Sequence, residues 1–430
     1  MTLSWSMARP HDAVVVGAGP AGLSAAAEIA ATATCLLIEQ GRRHTARDRD
    51  APEDILSGVG GAGLFSDGKH SFFPSATELW RLPDRARLER AYERTRALLA
   101  AHGVLAPPFP REELAPAPSM EGGAGWRLKE YPSMYASLGE RMACIRELYA
   151  RSGGPPRIEA RVVGARRIPS PSGPMIELTV EQGGDLLEIQ ARRLVVATGR
   201  LSPLWTRSWL TNLGVAWSFR RLELGVRIET RADSPLFARL QGIDPKLILR
   251  QDEPPFEIRT FCVCRDGEVV LGSTCNMHAF SGRGDGPRTG RSNLGLLVRT
   301  SDPALSRAIE GRLLAPGGAP LRASLLGVLR ERGRRGGLAA TFGEEGAALI
   351  LRALDRFIEH APELAGDPSA TLYAPCIEGV GDYPVDDGDL GIAPGVWMAG
   401  DLCGRFRGIV ASMISGRYVG GAVAPGKAPG

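Results

Sequence analysis

The sequence predicts an α/β protein in which a parallel-sheet domain is built from both ends of the chain, with a sheet-rich α+β domain inserted between them. Three stretches predict it. Val14-Val15-Val16 is a short apolar strand that runs into the glycine turn Gly17-Ala18-Gly19-Pro20-Ala21-Gly22. An alanine-rich helix over Leu23–Ala31 follows, and Leu36-Leu37-Ile38 is a second apolar strand ending in Glu39. Leu194-Val195-Val196 is a further buried strand, closing in the small-residue turn Ala197-Thr198-Gly199. The C-terminal end returns to the same style, with Val396-Trp397-Met398-Ala399-Gly400-Asp401 and a glycine-rich helix from about Gly408 to Val419. The expected division is 1–220 with 391–430 for the first domain, carrying a helical insertion at about 76–150, and 221–390 for the second. A chain of 430 residues is long enough for two such cores.

Strand, glycine turn, helix, strand and carboxylate is the order that a Rossmann-like site for an ADP-containing dinucleotide requires. Gly17 permits the tight turn, and Gly19 lets the backbone approach a pyrophosphate with no Cβ in the way. Gly22 lets the helix that begins near Pro20 and Ala21 pack closely on the sheet, its N-terminus aimed at the phosphates. Glu39, 17 residues past Gly22, is placed to accept hydrogen bonds from a ribose diol and would repel a phosphate there.

Further along, Ser57–Lys69 is a glycine-rich loop centred on Gly58-Val59-Gly60-Gly61-Ala62-Gly63. It formally matches GxGxxG, but Pro52-Glu53-Asp54-Ile55-Leu56 before it does not read as a buried strand. The loop is therefore read as one whose main-chain N–H groups pass close to the ligand, not as a second fingerprint. Asp84 caps an amphipathic helix with Leu88, Tyr92, Leu98 and Leu99 on its apolar face. Pro107–Pro118 is a linker or ordered loop, and another helix is expected over about Ser137–Tyr149. Arg157–Gly164 and Pro174–Ile189 read as strands around a turn at Gly183-Gly184. In the inserted domain, Phe256–Cys264 and Glu268–Cys275 read as a hairpin about Arg265-Asp266-Gly267. Helices are expected at about Asn293–Thr300, Leu321–Arg332 and Glu345–His360.

Composition narrows the function classes. A net charge of +4 on 430 residues is too small to argue for a nucleic-acid partner. Basic residues are almost all arginine, lysine occurring only at Lys69, Lys129, Lys246 and Lys427. No apolar run reaches the roughly 20 residues of a membrane span; Ile409–Val423 is interrupted by Arg417 and glycines. Residues 1–12 lack a signal-peptide core, and seven cysteines, an odd number spread along the chain, fit reduced thiols, so a cytoplasmic location is expected. Cysteine and histidine spacings for iron–sulfur or zinc ligation are lacking, and no metal is expected. Cys262 and Cys264 share a strand face, but regular geometry holds their Cα atoms about 6.5–7 Å apart. Both are read as buried hydrophobes.

Taken in order, the segments at the two ends resemble the FAD-binding domain of the glutathione-reductase-like flavoproteins. That resemblance implies that Ala197, Thr198 and Gly199 close the second cofactor segment, and that Asp401 of Gly400-Asp401 meets the flavin's ribityl chain. It also implies that Arg407-Gly408-Ile409 opens a helix whose N-terminus faces the pyrimidine end of the ring, where negative charge gathers on reduction. The segment Gly58–Lys69, GVGGAGLFSDGK, is similar to the signature of a family of largely uncharacterised FAD-dependent dehydrogenases. Lys129-Glu130-Tyr131-Pro132, Leu224–Glu229, Asp244-Pro245-Lys246, Arg259–Cys264, Ser281-Gly282-Arg283 and Ser292-Asn293 extend the likeness over most of the chain. Two places depart from it: Arg265-Asp266-Gly267 stands where the family has Pro-Gly-Gly, and Leu402-Cys403-Gly404 where it has small residues. The implied cofactor is FAD, with Gly60, Gly61, Ala62, Gly63 and Val163 added to the residues already named as its binding set.

Flavin would carry the hydride step, leaving the protein to position a small organic substrate and manage protons. His278 is the histidine nearest a family-like motif, and its ordinary pKa suits acid–base work near neutrality. Lys69 is placed to polarise a carbonyl or touch the flavin, while Arg283 and Arg259 are candidates for gripping a substrate carboxylate through paired hydrogen bonds. With no second strand–GxGxxG–helix unit, NAD(P)H would dock only transiently as reductant. The expected function is an FAD-dependent dehydrogenase or reductase. One alternative is a flavin monooxygenase using NAD(P)H and O2, from whose Gly-Asp-Ala-(Ala)-His pattern Gly400-Asp401-Leu402-Cys403 departs; another is a non-catalytic FAD-binding module.

Overall fold

Val14, Val15 and Val16 are buried on both faces because their strand, His11–Val16, lies inside a sheet. It pairs in parallel with Cys35–Glu39 on one side and with Asp185–Val196 on the other. Asp185–Val196 in turn pairs in parallel with Val396–Met398, so a strand from the far end of the chain completes the sheet begun at its start. Arg157–Ile158 adds a parallel edge, and Ala160–Ile168 and Met175–Gln182 meander antiparallel into Asp185–Val196. The computed structural model describes residues 10–111, 119–121, 125–171, 173–251, 256–275, 277–314, 320–331 and 336–424; Lys427 and most of Pro107–Pro118 lie outside them. No helix among these residues is long and apolar enough to cross a membrane.

Helices cover this sheet. Pro20–Ala30 packs against Ile409–Val423, at a contact so close that a Cβ on Gly416 would lie 2.0 Å from the Ala21 carbonyl oxygen. Asp84 caps Arg85–Ala101 by accepting from Arg87 N at 2.9 Å, and Ser137 with Glu140 forms a capping box at the head of Leu138–Ala150.

The second sheet is antiparallel throughout. Its order is Leu321–Ser324, Thr371–Pro384, Trp217–Arg231, Arg291–Thr300, Phe256–Cys264, Lys246–Gln251, Arg127–Lys129 and Ser119–Glu121. One core joins its Leu294, Leu296 and Val298 to Ile350, Leu354 and Phe357 of the helix Gly336–His360.

Three sequence expectations are corrected here. Asn293–Thr300 is not helix but the buried strand Arg291–Thr300; Leu294, Leu296, Leu297 and Val298 are buried between two partner strands, a burial that suits an unbroken apolar run. The hairpin about Arg265-Asp266-Gly267 does not form. Glu268–Thr274 pairs instead with Met277–Arg283 as a separate ribbon, because Cys262 (φ +49°) and Asp266 (φ +46°) turn the chain away, and Arg265 is tied to the Phe237 carbonyl at 2.8 Å. Ser119–Glu121 and Arg127–Lys129, expected with the helical insertion, extend the second sheet, and Trp126 is buried in the second core. In addition, Leu321–Arg332 begins as a strand and becomes helical only from Leu325.

Candidate functional site

Parallel strands present their carboxyl ends, and the turns that follow them, on one side of the sheet. Here Gly17, Gly19, Pro20 and Ala21, then Ala197, Thr198 and Gly199, then Gly400 and Asp401 all line one cavity of about 640 Å³. Gly17 has φ +99°, and a Cβ on it would sit 2.5 Å from the Ala197 carbonyl oxygen, so the first two turns touch backbone to backbone. Gly22 is behind the wall; its missing Cβ, which would lie 1.7 Å from the Gly17 oxygen, is what lets the helix begin there. Glu39 lines the cavity and ties its loops together, Oε2 accepting from Ala18 N at 2.7 Å and Oε1 from Gly41 N at 2.8 Å and Gly58 N at 3.1 Å. Oε1 is filled by its two donors, while Oε2, with one, keeps acceptor capacity for another.

The second glycine loop supplies Gly58, Gly61, Ala62 and Gly63 to the wall. Gly60 stands behind them and donates its N–H to the Ala18 carbonyl at 2.8 Å. Helix Pro52–Leu56 precedes this loop, so the strand a second fingerprint needs is absent there. The loop's shape depends on a residue the sequence reading missed. Arg47, buried, donates to the carbonyls of Asp54 (3.1 Å), Val59 (2.8 Å) and Gly61 (3.0 Å), and burial pulls its pKa down to about 10. Only its position shortly before a glycine loop marks it in the sequence.

Gly63 abuts the C-terminal helix, a Cβ there lying 2.9 Å from Ile409 Cγ1. Arg407, Gly408 and Ile409 line the cavity at that helix's N-terminus. Asp401 is buried: Oδ2 faces Arg407 Nε at 3.4 Å, while Oδ1 has no hydrogen-bond partner among the described residues, and burial raises the pKa of the group. A buried acceptor without a donor is rare and costly. Asp401 lines the cavity, and its carboxylate is placed there for a ligand hydroxyl. The residues present thus fit a dinucleotide: glycine backbone for phosphates, Glu39 for a diol and Asp401 for a hydroxyl-bearing chain.

A charged region continues the same cavity. Lys129, Tyr131, Asp244, Lys246, Arg259 and Arg299 line it, drawn in the main from three of the motif pieces noted in the sequence. Tyr131 donates to Asp244 at 2.6 Å, and Lys69 Nζ lies 3.1 Å from Asp67 and 3.7 Å from Asp244 while donating to the Val263 carbonyl at 2.5 Å. Beneath them Glu223, wholly buried, meets Arg299 (3.0 Å), Arg221 (3.4 Å), Arg259 (3.4 Å) and Arg407 (3.6 Å). Burial alone would raise its pKa; Arg407, then Arg259, Arg299 and Arg221, bring it well below the usual carboxylate range. Lys129 makes no ion pair among the described residues, and burial, then Lys246, Arg259 and Arg299, lower its pKa. Three of the four lysines in the chain line this one cavity. It is a place where positive charge is in excess.

Not every expected residue lies there. Lys69 and Arg259 do. Val163 does not: it sits at the bulge between Val162 and Gly164, and Ala160, Arg161 and Val162 line the wall instead. His278 is outside the wall, its Nδ1 3.0 Å from the Ser273 hydroxyl across the ribbon. Arg283 is likewise outside, saturated by Asp50 (2.7 Å), Glu268 (2.9 Å) and the Arg49 carbonyl, so it fastens the ribbon and is not free for a substrate. Cys262 and Cys264 also depart from expectation, their sulfurs standing 3.6 Å apart.

No protein-family model matches the chain, and no curated protein does. Solved structures similar in fold include a geranylgeranyl bacteriochlorophyll reductase-like protein from Thermoplasma acidophilum, with 14% identity, 96% of this chain and 78% of that one covered and a TM-score of 0.43. A flavin-dependent brominase variant shows 12% identity, 96% and 79% coverage and a TM-score of 0.43. An anhydrotetracycline hydroxylase from Streptomyces rimosus shows 14% identity and a TM-score of 0.38, the chain being covered to 92% but spanning only 56% of that longer protein. Likeness of this degree says nothing of the chain's own activity.

Proposed function

We propose that the chain is an FAD-dependent oxidoreductase of the dehydrogenase or reductase type, acting on a small organic substrate that carries a negative charge. The observation that carries the reading is the convergence of the two chain ends on one cavity, with the Asp401 carboxylate in its wall. Bound FAD would supply the hydride-accepting centre. The turn at Gly17 and Gly19 would take the pyrophosphate, Glu39 the adenosine ribose, and Asp401 a ribityl hydroxyl. The 15-residue helix Ile409–Val423 presents its N-terminus to the same cavity, which favours negative charge gathering there. Lys129, Lys246, Arg259 and Arg299 would orient the substrate anion. Lys69, held by Asp67, would donate its ammonium proton in a hydrogen bond to a substrate carbonyl. The resemblance to FAD-dependent dehydrogenases supports the same reading, and NAD(P)H is proposed as a transient reductant.

The experiment is to purify the protein, extract and identify its chromophore, and reduce it anaerobically with NAD(P)H and with candidate organic anions. FAD in about one copy per chain, bleached by a donor, is the expected result. A colourless protein that takes up no added FAD overturns the reading. Oxygenated product on readmitting O2 would shift it to monooxygenase, and bound FAD that no donor bleaches would shift it to a non-catalytic module.

A further inference from the structure

Cys262 and Cys264 are brought together by a local irregularity of their strand. Cys262 has φ +49°, in the left-handed region that β-strand residues avoid, and the pairing with Arg291–Thr300 shifts register between Phe261 and Cys264. Both side chains therefore turn to one place, with Sγ atoms 3.6 Å apart. Such a backbone persists only where its surroundings hold it. Arg227, fully buried, does so: Nη2 donates to the Cys262 carbonyl at 2.6 Å and reaches Cys264 Sγ at 3.3 Å, and Nε donates to Asn293 Oδ1 at 2.5 Å. Gly282 leaves the room, since a Cβ on it would lie 2.6 Å from Cys264 Sγ.

The surroundings divide the two sulfurs by role. Cys262 is half-buried and lines the cavity, while Cys264 is 1% exposed behind it. Cys262 Sγ lies 2.9 Å from Asp67 Oδ2, the oxygen that Lys69 Nζ also faces at 3.1 Å. The hydrogen bond between the sulfurs, then burial and Asp67, push the Cys262 thiol well above its ordinary pKa. The same hydrogen bond, against burial, and then Arg227 and Lys69 lower the Cys264 thiol, so Cys264 is the sulfur that ionises and can take the proton of Cys262. The donor atoms of Asp67, Cys262 and Cys264 lie within 4.8 Å of one another, as a metal site would require. Yet the Lys69 ammonium and the Arg227 guanidinium place positive charge where a cation would bind.

From this geometry we propose that Cys262 and Cys264 are a reversible dithiol–disulfide couple in the cavity wall that exchanges with small disulfides. Cys264 loses its proton to water and, as a thiolate facing Arg227, takes up the proton of Cys262 3.6 Å away while the Cys262 sulfur attacks one sulfur of the small disulfide, releasing one half as a thiolate that takes up a proton. Cys264 then loses its proton to water and attacks Cys262 Sγ, forming the intrachain S–S bond and expelling the second half, which is protonated in turn. Two electrons pass from the protein sulfurs to the small disulfide, which leaves as two thiols. The couple needs no flavin, so its failure and that of the proposed flavin site are separate outcomes.

The test uses the purified full chain and oxidised glutathione. After treatment, alkylation and digestion, the peptide holding residues 262 and 264 should be two hydrogens lighter and carry no alkyl group, and dithiothreitol should restore two alkylatable thiols. Cys264→Ser should trap glutathione on Cys262, since the resolving sulfur is gone, whereas Cys262→Ser should leave the buried Cys264 thiol unglutathionylated. Two alkylated thiols after glutathione treatment would overturn the proposal. So would stoichiometric zinc that shields both cysteines until a chelator removes it.

Discussion

At Gly19 the protein itself tolerates more than its ligand would. A Cβ there meets only Gly61 Cα, at 3.8 Å, which is ordinary contact. Stripped of flavin, Gly19→Val should therefore unfold at the same midpoint as the parent apoprotein, yet its side chain would fill the gap between two glycine loops where a pyrophosphate would run, and the variant should lose most of its FAD. Circular dichroism together with extracted flavin separates the two effects, and full flavin occupancy would remove Gly19 from the site. Glu223 is the opposite case. Its carboxylate is shared by four arginines and sealed from solvent. Glu223→Gln keeps the shape but leaves those cations facing one another, and removal of one partner from a buried ion pair costs about 3–5 kcal/mol. Urea unfolding reads it directly; a loss under about 1 kcal/mol would mean that the arginines find water or other acceptors. Gly17, Gly19 and Glu39 were legible as cavity-lining positions because each answers a local demand of turn, close approach or acceptor, whereas Asp401 entered through the likeness to the flavoproteins. Arg47 and Glu223 were not, because what defines them is which distant carbonyls and guanidiniums the fold delivers.

Elements were legible where one period or one cap decided them. Asp84 marks its helix in the sequence, the next was expected over about Ser137–Tyr149, and both helices form there. Arg291–Thr300 was misread because Leu-Gly-Leu-Leu-Val suits a buried strand and a buried helix alike, and only the partners on either side decide. The false hairpin has a different origin: left-handed backbone at Cys262 and Asp266 carries no mark in residue type. The helix Ile409–Val423 offers a test of packing against propensity. Replacing glycine by alanine inside a helix ordinarily gains about 1 kcal/mol. At Gly421, where a Cβ would meet Arg87 Cδ at 3.8 Å, Gly421→Ala should show some of that gain. At Gly416 the new Cβ would lie 2.0 Å from the Ala21 oxygen, so Gly416→Ala should lose stability despite its better propensity. The helix would be pushed away from Pro20–Ala30, and FAD affinity should fall with it. Equal stabilisation by both substitutions would refute the close helix contact.

Across the whole molecule, acid stability is a contest between groups of opposite sign. Burial lowers the pKa of His11, His44, His70 and His360 below the ordinary 6.5. For each, the unfolded chain binds a proton more readily than the folded one, so stability is intact above pH 6.5 and falls as the pH drops through that value towards the folded pKa. Glu310 works the other way. Burial first, then Asp382, raise it to about 7, so the folded state holds its proton more tightly and gains stability as the pH falls from about 7 towards 4.5. Asp401 has the same sign, by burial. Each group can contribute at most about 1.4 kcal/mol per pH unit. His70 is the most enclosed of the imidazoles, 1% exposed, its Nδ1 3.1 Å from the Gly68 carbonyl in the second glycine loop. His70→Gln should therefore make the fall in melting temperature between pH 7 and pH 5 shallower, and Glu310→Gln should make it steeper. Melting curves at closely spaced pH values for the two variants and the parent decide the matter. If His70→Gln steepens the fall or Glu310→Gln flattens it, the signs assigned to those groups are wrong, and burial is not what sets their protonation.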